Sequence, residues 1–188
     1  MPVSLWMSTN GDEVEQYMER HWCNPVVAQT EPATGTRWHD ADRAKFESHP
    51  PESGSLFYFG HGSEEALGEP PIIDTANVSL VQGTLVAVAC DAAEGLGPAA
   101  IAQGTQAFVG FTGRIPVIAD PKYDEVFVEH LSDLASDRCS AMRFRAAFRA
   151  GLLALAERAE QFPDQYANAP LLLVGADSAR GSVRVLER

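Results

Sequence analysis

The chain has 188 residues, 45% of them apolar and 21% charged, and its 26 acidic and 14 basic side chains leave a net charge of −12 at neutral pH. That length suits one α/β domain over 1–188, and the charge argues against nucleic acid or an anionic membrane surface as partner. No stretch approaches the ~20 consecutive apolar residues of a membrane span and no basic segment leads into an apolar block at the start, so a cytoplasmic protein is expected.

Three cysteines, Cys23, Cys90 and Cys139, lie far apart and suggest neither a disulfide framework nor a metal clip. The five histidines show no HxxxH or HExxH spacing. No metal and no cofactor are expected. Arg138, Arg143, Arg145 and Arg149 form a local basic cluster, read as a solvated helix face in preference to a dock for phosphate or acidic peptide.

In chain order, Val3 to Met7 reads as an opening strand. Asn10, Gly11 and Asp12 follow as a helix start, and Glu13 to Trp22 as a short helix that Asn24-Pro25 ends. From Gln29 to Gly54 the chain is rich in Pro, Thr, Gly and charge, with one helix expected between Asp40 and Ser48 and stopped by His49-Pro50-Pro51. Ser55 to Phe59, SLFYF, is a strand running into the tight loop Gly60-His61-Gly62. A loop follows from Ser63 to Val78, in which Asp74-Thr75 is placed to cap a helical turn.

Thr84 to Cys90, TLVAVAC, has the apolar, β-branched character of a central parallel strand covered on both faces, with Cys90 at its end. Gly95 to Gly104 predicts a helix with Pro98 in its first turn and Gly104 as its stop, and Gln106 to Phe111 predicts another buried strand. Tyr123, Phe127, Leu131 and Leu134 predict an amphipathic helix over Pro121 to Ala135. Phe144, Phe148, Leu152, Leu155 and Ala159 predict another over Ser140 to Phe162. Pro170 to Val174, PLLLV, reads as a buried strand. Ser182 to Leu186 reads as a terminal edge strand after an Ala179-Arg180-Gly181 turn. The alternation predicts an α/β fold: a doubly wound, mostly parallel sheet with helices on both faces.

In such a sheet ligands bind outside the carboxyl ends of the strands. Two strand-like runs end there in a reactive side chain, FYF-Gly60-His61-Gly62 and LVAVA-Cys90-Asp91. A thiolate attacks a carbonyl when a nearby imidazole takes its proton or supplies the complementary charge, and the imidazole then protonates the leaving amine. Gly62 lets backbone approach a substrate closely, so its N–H and that of Cys90 are candidates for an oxyanion hole. Each residue alone has a plainer reading, a buried packing thiol and a turn histidine. The shared position at strand ends joins them into one candidate site.

FYFGHGS and LVAVACDAAEGLGPAAIAQGTQAFVGFTG resemble the two signature blocks of the caspase-like cysteine peptidases, in particular their bacterial CHAT branch. The likeness covers Ser55 to Phe111, with a looser match over Asp120 to Val174, where an amphipathic helix and a buried strand closing on Gly175 are expected. The resemblance implies a caspase-like fold and a cysteine endopeptidase acting on a protein or peptide substrate, as relatives in stress or defence pathways do. It implies His61 as general acid, Cys90 as nucleophile, and the Gly62 and Cys90 N–H groups as oxyanion hole. For substrate binding, Asp91 or Asp120 would pair with a basic side chain and Arg114 with an acidic one; the plainer reading of either aspartate is a loop or cap carboxylate. Control by a regulatory protein, a homodimer or autocleavage between Gly62 and Gly83 or between Pro163 and Asn168 fits so small an enzyme. Two other readings stay open: a catalytically degenerate docking module, and a cysteine amidohydrolase outside the peptidases.

Overall fold

A computed structural model describes residues 3–8, 11–30, 35–51, 54–166 and 168–188; Asn10, read above as part of a helix start, lies outside them. The chain runs β1 (Val3–Ser8), α1 (Glu13–Met18), a π-helical turn (Glu19–Cys23), α2 (Asn24–Gln29), β2 (Thr36–Trp38), α3 (Arg43–Ser48) and β3 (Ser55–Phe59). A small hairpin of β4 (Ala66–Leu67) and β5 (Ile73–Asp74) and a 3-10 turn (Val78–Leu80) follow, then β6 (Thr84–Val88), α4 (Leu96–Ala102) and β7 (Ala107–Phe111). The rest is α5 (Pro121–Ala135), α6 (Ala141–Gln161), a 3-10 turn (Pro163–Gln165), α7 (Ala169–Ser182) and β8 (Val183–Glu187).

Six strands form one sheet in the order β2-β1-β3-β6-β7-β8, parallel throughout except for β8, which runs antiparallel to β7 at the edge. The doubly wound, mostly parallel α/β architecture is therefore present. Strands β3, β6 and β7 are buried along their whole length, as strands covered on both faces must be. One face carries Trp6, Phe57, Phe59, Val86, Val88, Val109 and Phe111 against apolar residues of α1, the π turn, α2, α5, α6 and α7. The other packs Leu5, Met7, Leu56, Tyr58, Leu85, Ala87 and Phe108 against α3, the hairpin and α4. Trp6, Trp22 and Trp38 are all buried core residues.

Four local expectations are corrected. Asn24-Pro25 does not end the first helix, because Cys23 and Asn24 keep helical dihedrals and α2 continues to Gln29. The π turn just before Pro25 shifts the backbone pairing by one residue, which relieves the clash a proline ring makes with the carbonyl four residues back. The stretch from Gln29 to Gly54, for which one helix and no strand was expected, also contains β2, too short to show a period of two. The loop after Ser63 contains a hairpin, and its helical turn begins at Val78, beyond the proposed Asp74-Thr75 cap.

The largest correction concerns PLLLV, which lies in α7 and not in a strand. Ala169, Leu172, Ala176 and Ala179 are buried at helical spacing, whereas Leu171 and Val174 are 60% and 71% exposed. Pro170 sits in the first turn, where a missing N–H leaves no bond unmade. A run of four apolar residues has no period that separates strand from helix. The expected buried strand closing on Gly175 is accordingly absent, and Ala179-Arg180-Gly181 is helix and not turn.

Candidate active site

The order of strands reverses between β1 and β3, because β2 lies outward of β1 on one side and β3 begins the succession on the other. Crevices at the carboxyl ends of parallel strands form at such a reversal. Three adjacent strands, β1, β3 and β6, each send one chemically capable side chain into the loops there: Asp12, His61 and Cys90.

Register explains why His61 and Cys90 lie level. Phe59 of β3 pairs with Val88 of β6, and His61 and Cys90 each follow two residues later. Gly60 N–H still donates to the Val88 carbonyl at 3.3 Å, so the strands stay together to the edge of the site. Beyond it the two loops touch. A β-carbon added at Gly62 would lie 2.7 Å from Ala89 Cβ and 2.8 Å from the Cys90 carbonyl oxygen, closer than real contacts permit. Glycine is required here by the packing of the two loops on each other. Among the described residues neither the Gly62 nor the Cys90 N–H donates a hydrogen bond.

Cys90 is half-buried, and its sulfur accepts a hydrogen bond from the Ile115 N–H at 3.3 Å. That donor sits in the loop after β7 and holds the sulfur at the edge of the sheet. Asp91 follows with φ of 58°, a left-handed conformation that aspartate tolerates better than most side chains. It turns the chain sharply behind the sulfur. Asp91 N–H donates to the Gly113 carbonyl at 3.1 Å and Ala93 N–H to the Phe111 carbonyl at 2.9 Å, tying this turn to the end of β7.

The His61 ring makes no hydrogen bond to the Cys90 sulfur. Its Nε2 instead meets Asp12 Oδ2 at 2.8 Å, while the Tyr58 hydroxyl donates to the His61 carbonyl at 2.9 Å. Asp12 caps α1, its Oδ1 accepting from the Glu15 N–H at 2.9 Å. Buried Glu15 in turn accepts from the Gly11 N–H at 2.8 Å. Burial works against a charged His61 ring, but the Asp12 hydrogen bond and the charges of Asp12, Glu15 and Glu69 prevail and hold its pKa above the usual 6.5. The Glu15 N–H and then the His61 ring hold the Asp12 carboxyl below its usual 3.8. Asp12 was legible as a helix cap, but nothing in sequence spacing joins position 12 to position 61.

Asp12, Glu15 and His61 are also the one group among the described residues whose ligating atoms lie within 4.8 Å of one another. Asp12 caps α1 and holds the imidazole, and Glu15 accepts from the Gly11 and His61 backbone N–H groups.

Of the substrate-binding candidates, Asp91 lies at the site. With Gly62, Ser63, Glu64 and Glu65 it lines an open hollow of about 370 Å³. Glu64 and Glu65 carried no sequence signal beyond their charge. Asp120 is elsewhere: it caps α5 by accepting from the Lys122 N–H at 2.8 Å and lines a separate cleft of about 940 Å³ with Tyr17, His21 and Asp124. Arg114 is exposed and directly precedes Ile115, the residue bonded to the sulfur. In the basic cluster, Arg143 and Arg149 face solvent on α6 and Arg138 pairs with Asp133 at 2.9 Å. No helix among the described residues is long and apolar enough to cross a membrane.

No protein-family model, no curated protein and no solved structure matches this chain. The likeness to caspase-like peptidases thus rests on the motifs quoted above.

Proposed function

We propose that the chain is a cysteine endopeptidase of the caspase-like kind acting on a protein or peptide partner, with Cys90 as nucleophile and His61 as its acid/base. The observation that supports this reading most is the packing of the two strand-end loops, with Gly62 against the Cys90 carbonyl and both residues' N–H groups unengaged by protein acceptors. The sulfur attacks the scissile carbonyl carbon, its proton passing to the His61 ring. The carbonyl oxygen gathers negative charge between the Gly62 and Cys90 N–H groups. The carbon–nitrogen bond then breaks, His61 gives the proton to the leaving amine, and a thioester remains on Cys90. Water, deprotonated by His61, releases the carboxylic acid and restores the thiol. Glu64, Glu65 and Asp91 around the adjacent hollow favour a basic side chain beside the cut bond, whereas the exposed Arg114, next to Ile115, is the group that would favour an acidic one.

Peptidyl acyloxymethyl ketones bearing Arg, Lys, Asp or Ala next to the warhead test this directly. Wild-type protein is expected to be labelled at Cys90, fastest by the Arg and Lys reagents, and His61→Ala is expected to slow labelling by about 100-fold or more. Cys90→Ala abolishes it. Undiminished labelling of Cys90→Ala would sink the assignment of the nucleophile.

A further inference from the structure

We propose that Asp12 is the positioning residue of this site, holding His61 through Nε2–H so that Nδ1 is the nitrogen left to exchange protons; the inference rests on the cysteine-hydrolase reading above.

Topology supplies the first reason. Asp12, His61 and Cys90 follow three strands that are neighbours in the sheet, β1, β3 and β6, so the order carboxylate, imidazole, thiol is imposed by the sheet itself. Geometry supplies the second. The Asp12 to His61 separation of 2.8 Å is a full hydrogen bond between groups 49 residues apart. The carboxylate cannot swing freely, since its other oxygen holds the Glu15 N–H at 2.9 Å. His61 is pinned from its backbone too, through the Tyr58 hydroxyl at 2.9 Å. Among the described residues, Nδ1 makes no hydrogen bond, so the free nitrogen faces no competing protein partner.

The chemistry follows. A carboxylate on one ring nitrogen fixes the tautomer and stabilises the imidazolium that forms when the ring takes a proton. The groups that act on the ring are Asp12 and Glu15 from α1 and Glu69 from the loop after β4, all acidic, and all favour the protonated ring. An imidazolium so held is the counter-charge through which the proposed dyad would act on the Cys90 thiol.

Asp12→Asn is the informative variant. Asparagine caps a helix as well as aspartate does and presents an oxygen of similar reach, so α1 and the fold are kept while the charge is lost. Asp12→Ser keeps the cap and withdraws the contact. Two readouts on the intact chain separate the outcomes: the rate of Cys90 carboxamidomethylation by iodoacetamide from pH 5 to 9, and the imidazole titration of His61 by NMR. Both variants are expected to lower the pH at which His61 titrates and to slow Cys90 modification near neutrality by about tenfold. His61→Ala is expected to erase the histidine-dependent limb of the same profile. If His61→Ala alters the profile and both Asp12 variants reproduce the wild type, the positioning role is overturned and the dyad survives. If His61→Ala leaves the Cys90 profile unchanged, the hydrolase reading fails and this proposal with it, whatever the NMR titration shows.

Discussion

At the scale of single residues the three cysteines separate by environment, although their sequence contexts offer few clues. Cys23, the last residue of the π turn, lies in the core, and burial pushes its thiol up to about 12. Cys139, between α5 and α6, is also raised by burial. Among the described residues, Cys90 is the thiol with a backbone donor on its sulfur, from Ile115. A thiolate is the reacting species, so a limiting amount of iodoacetamide at pH 7.5 should modify Cys90 first, Cys139 slowly, and Cys23 only once the chain is unfolded. Peptide mapping by mass spectrometry reads that order, and equal labelling of Cys139 and Cys90 would refute it. His61 and Cys90 were both legible as residues at strand ends. Asp12 was not legible as their companion, because it is joined to His61 by the parallel pairing of β1 with β3 and not by any local spacing.

Among elements, the joint between the first helical layer and α5 is built from polar groups under an aromatic stack. Trp22 Nε1–H donates to Asp124 Oδ1 at 2.6 Å and the Tyr17 hydroxyl to Oδ2 at 2.8 Å. The Trp22 ring stacks on Phe127 at 4.2 Å and 7°. Burial raises the Asp124 pKa against the effect of these donors. Replacing Asp124 by Ala orphans the Trp22 N–H and leaves the Tyr17 hydroxyl only the Ile118 carbonyl at 3.2 Å, which should cost about 2 kcal/mol, a fall of about 4–8 °C in Tm for a domain of this size. Asp124→Asn keeps one acceptor without a buried charge and should lose less, a ranking that thermal unfolding followed by circular dichroism decides. The helices of this layer were readable wherever apolar residues recur with a period near 3.6, and α5 has the predicted bounds. The reading failed at Pro25 and at PLLLV, where a π turn and a helix N-terminus accept a proline that sequence rules treat as a stop or leave ambiguous.

For the molecule as a whole, the sheet divides the interior into two cores. Phe127 belongs to the one beneath α5 and α6, Phe46 to the one beneath α3 and α4. They share no partners across the sheet, so Phe127→Leu and Phe46→Leu should each cost about 1 kcal/mol or more. Their effects should add to within about 0.5 kcal/mol in urea unfolding. A larger coupling would mean that the sheet transmits strain between its faces. Composition and patterning by themselves determined the class of fold, the central strands β3, β6 and β7, the long helices α5 and α6, and two of the three residues at the candidate site. Those features are written in local periodicity, where each side chain reports which face of its own element is buried. Tertiary structure alone decided that Asp12 meets His61, that Gly62 packs on Cys90, that Asp91 faces the hollow while Asp120 faces a different cleft, and that PLLLV is helix. Each of these depends on which strands are neighbours and how they are registered, and that order is set by packing between segments far apart in the chain.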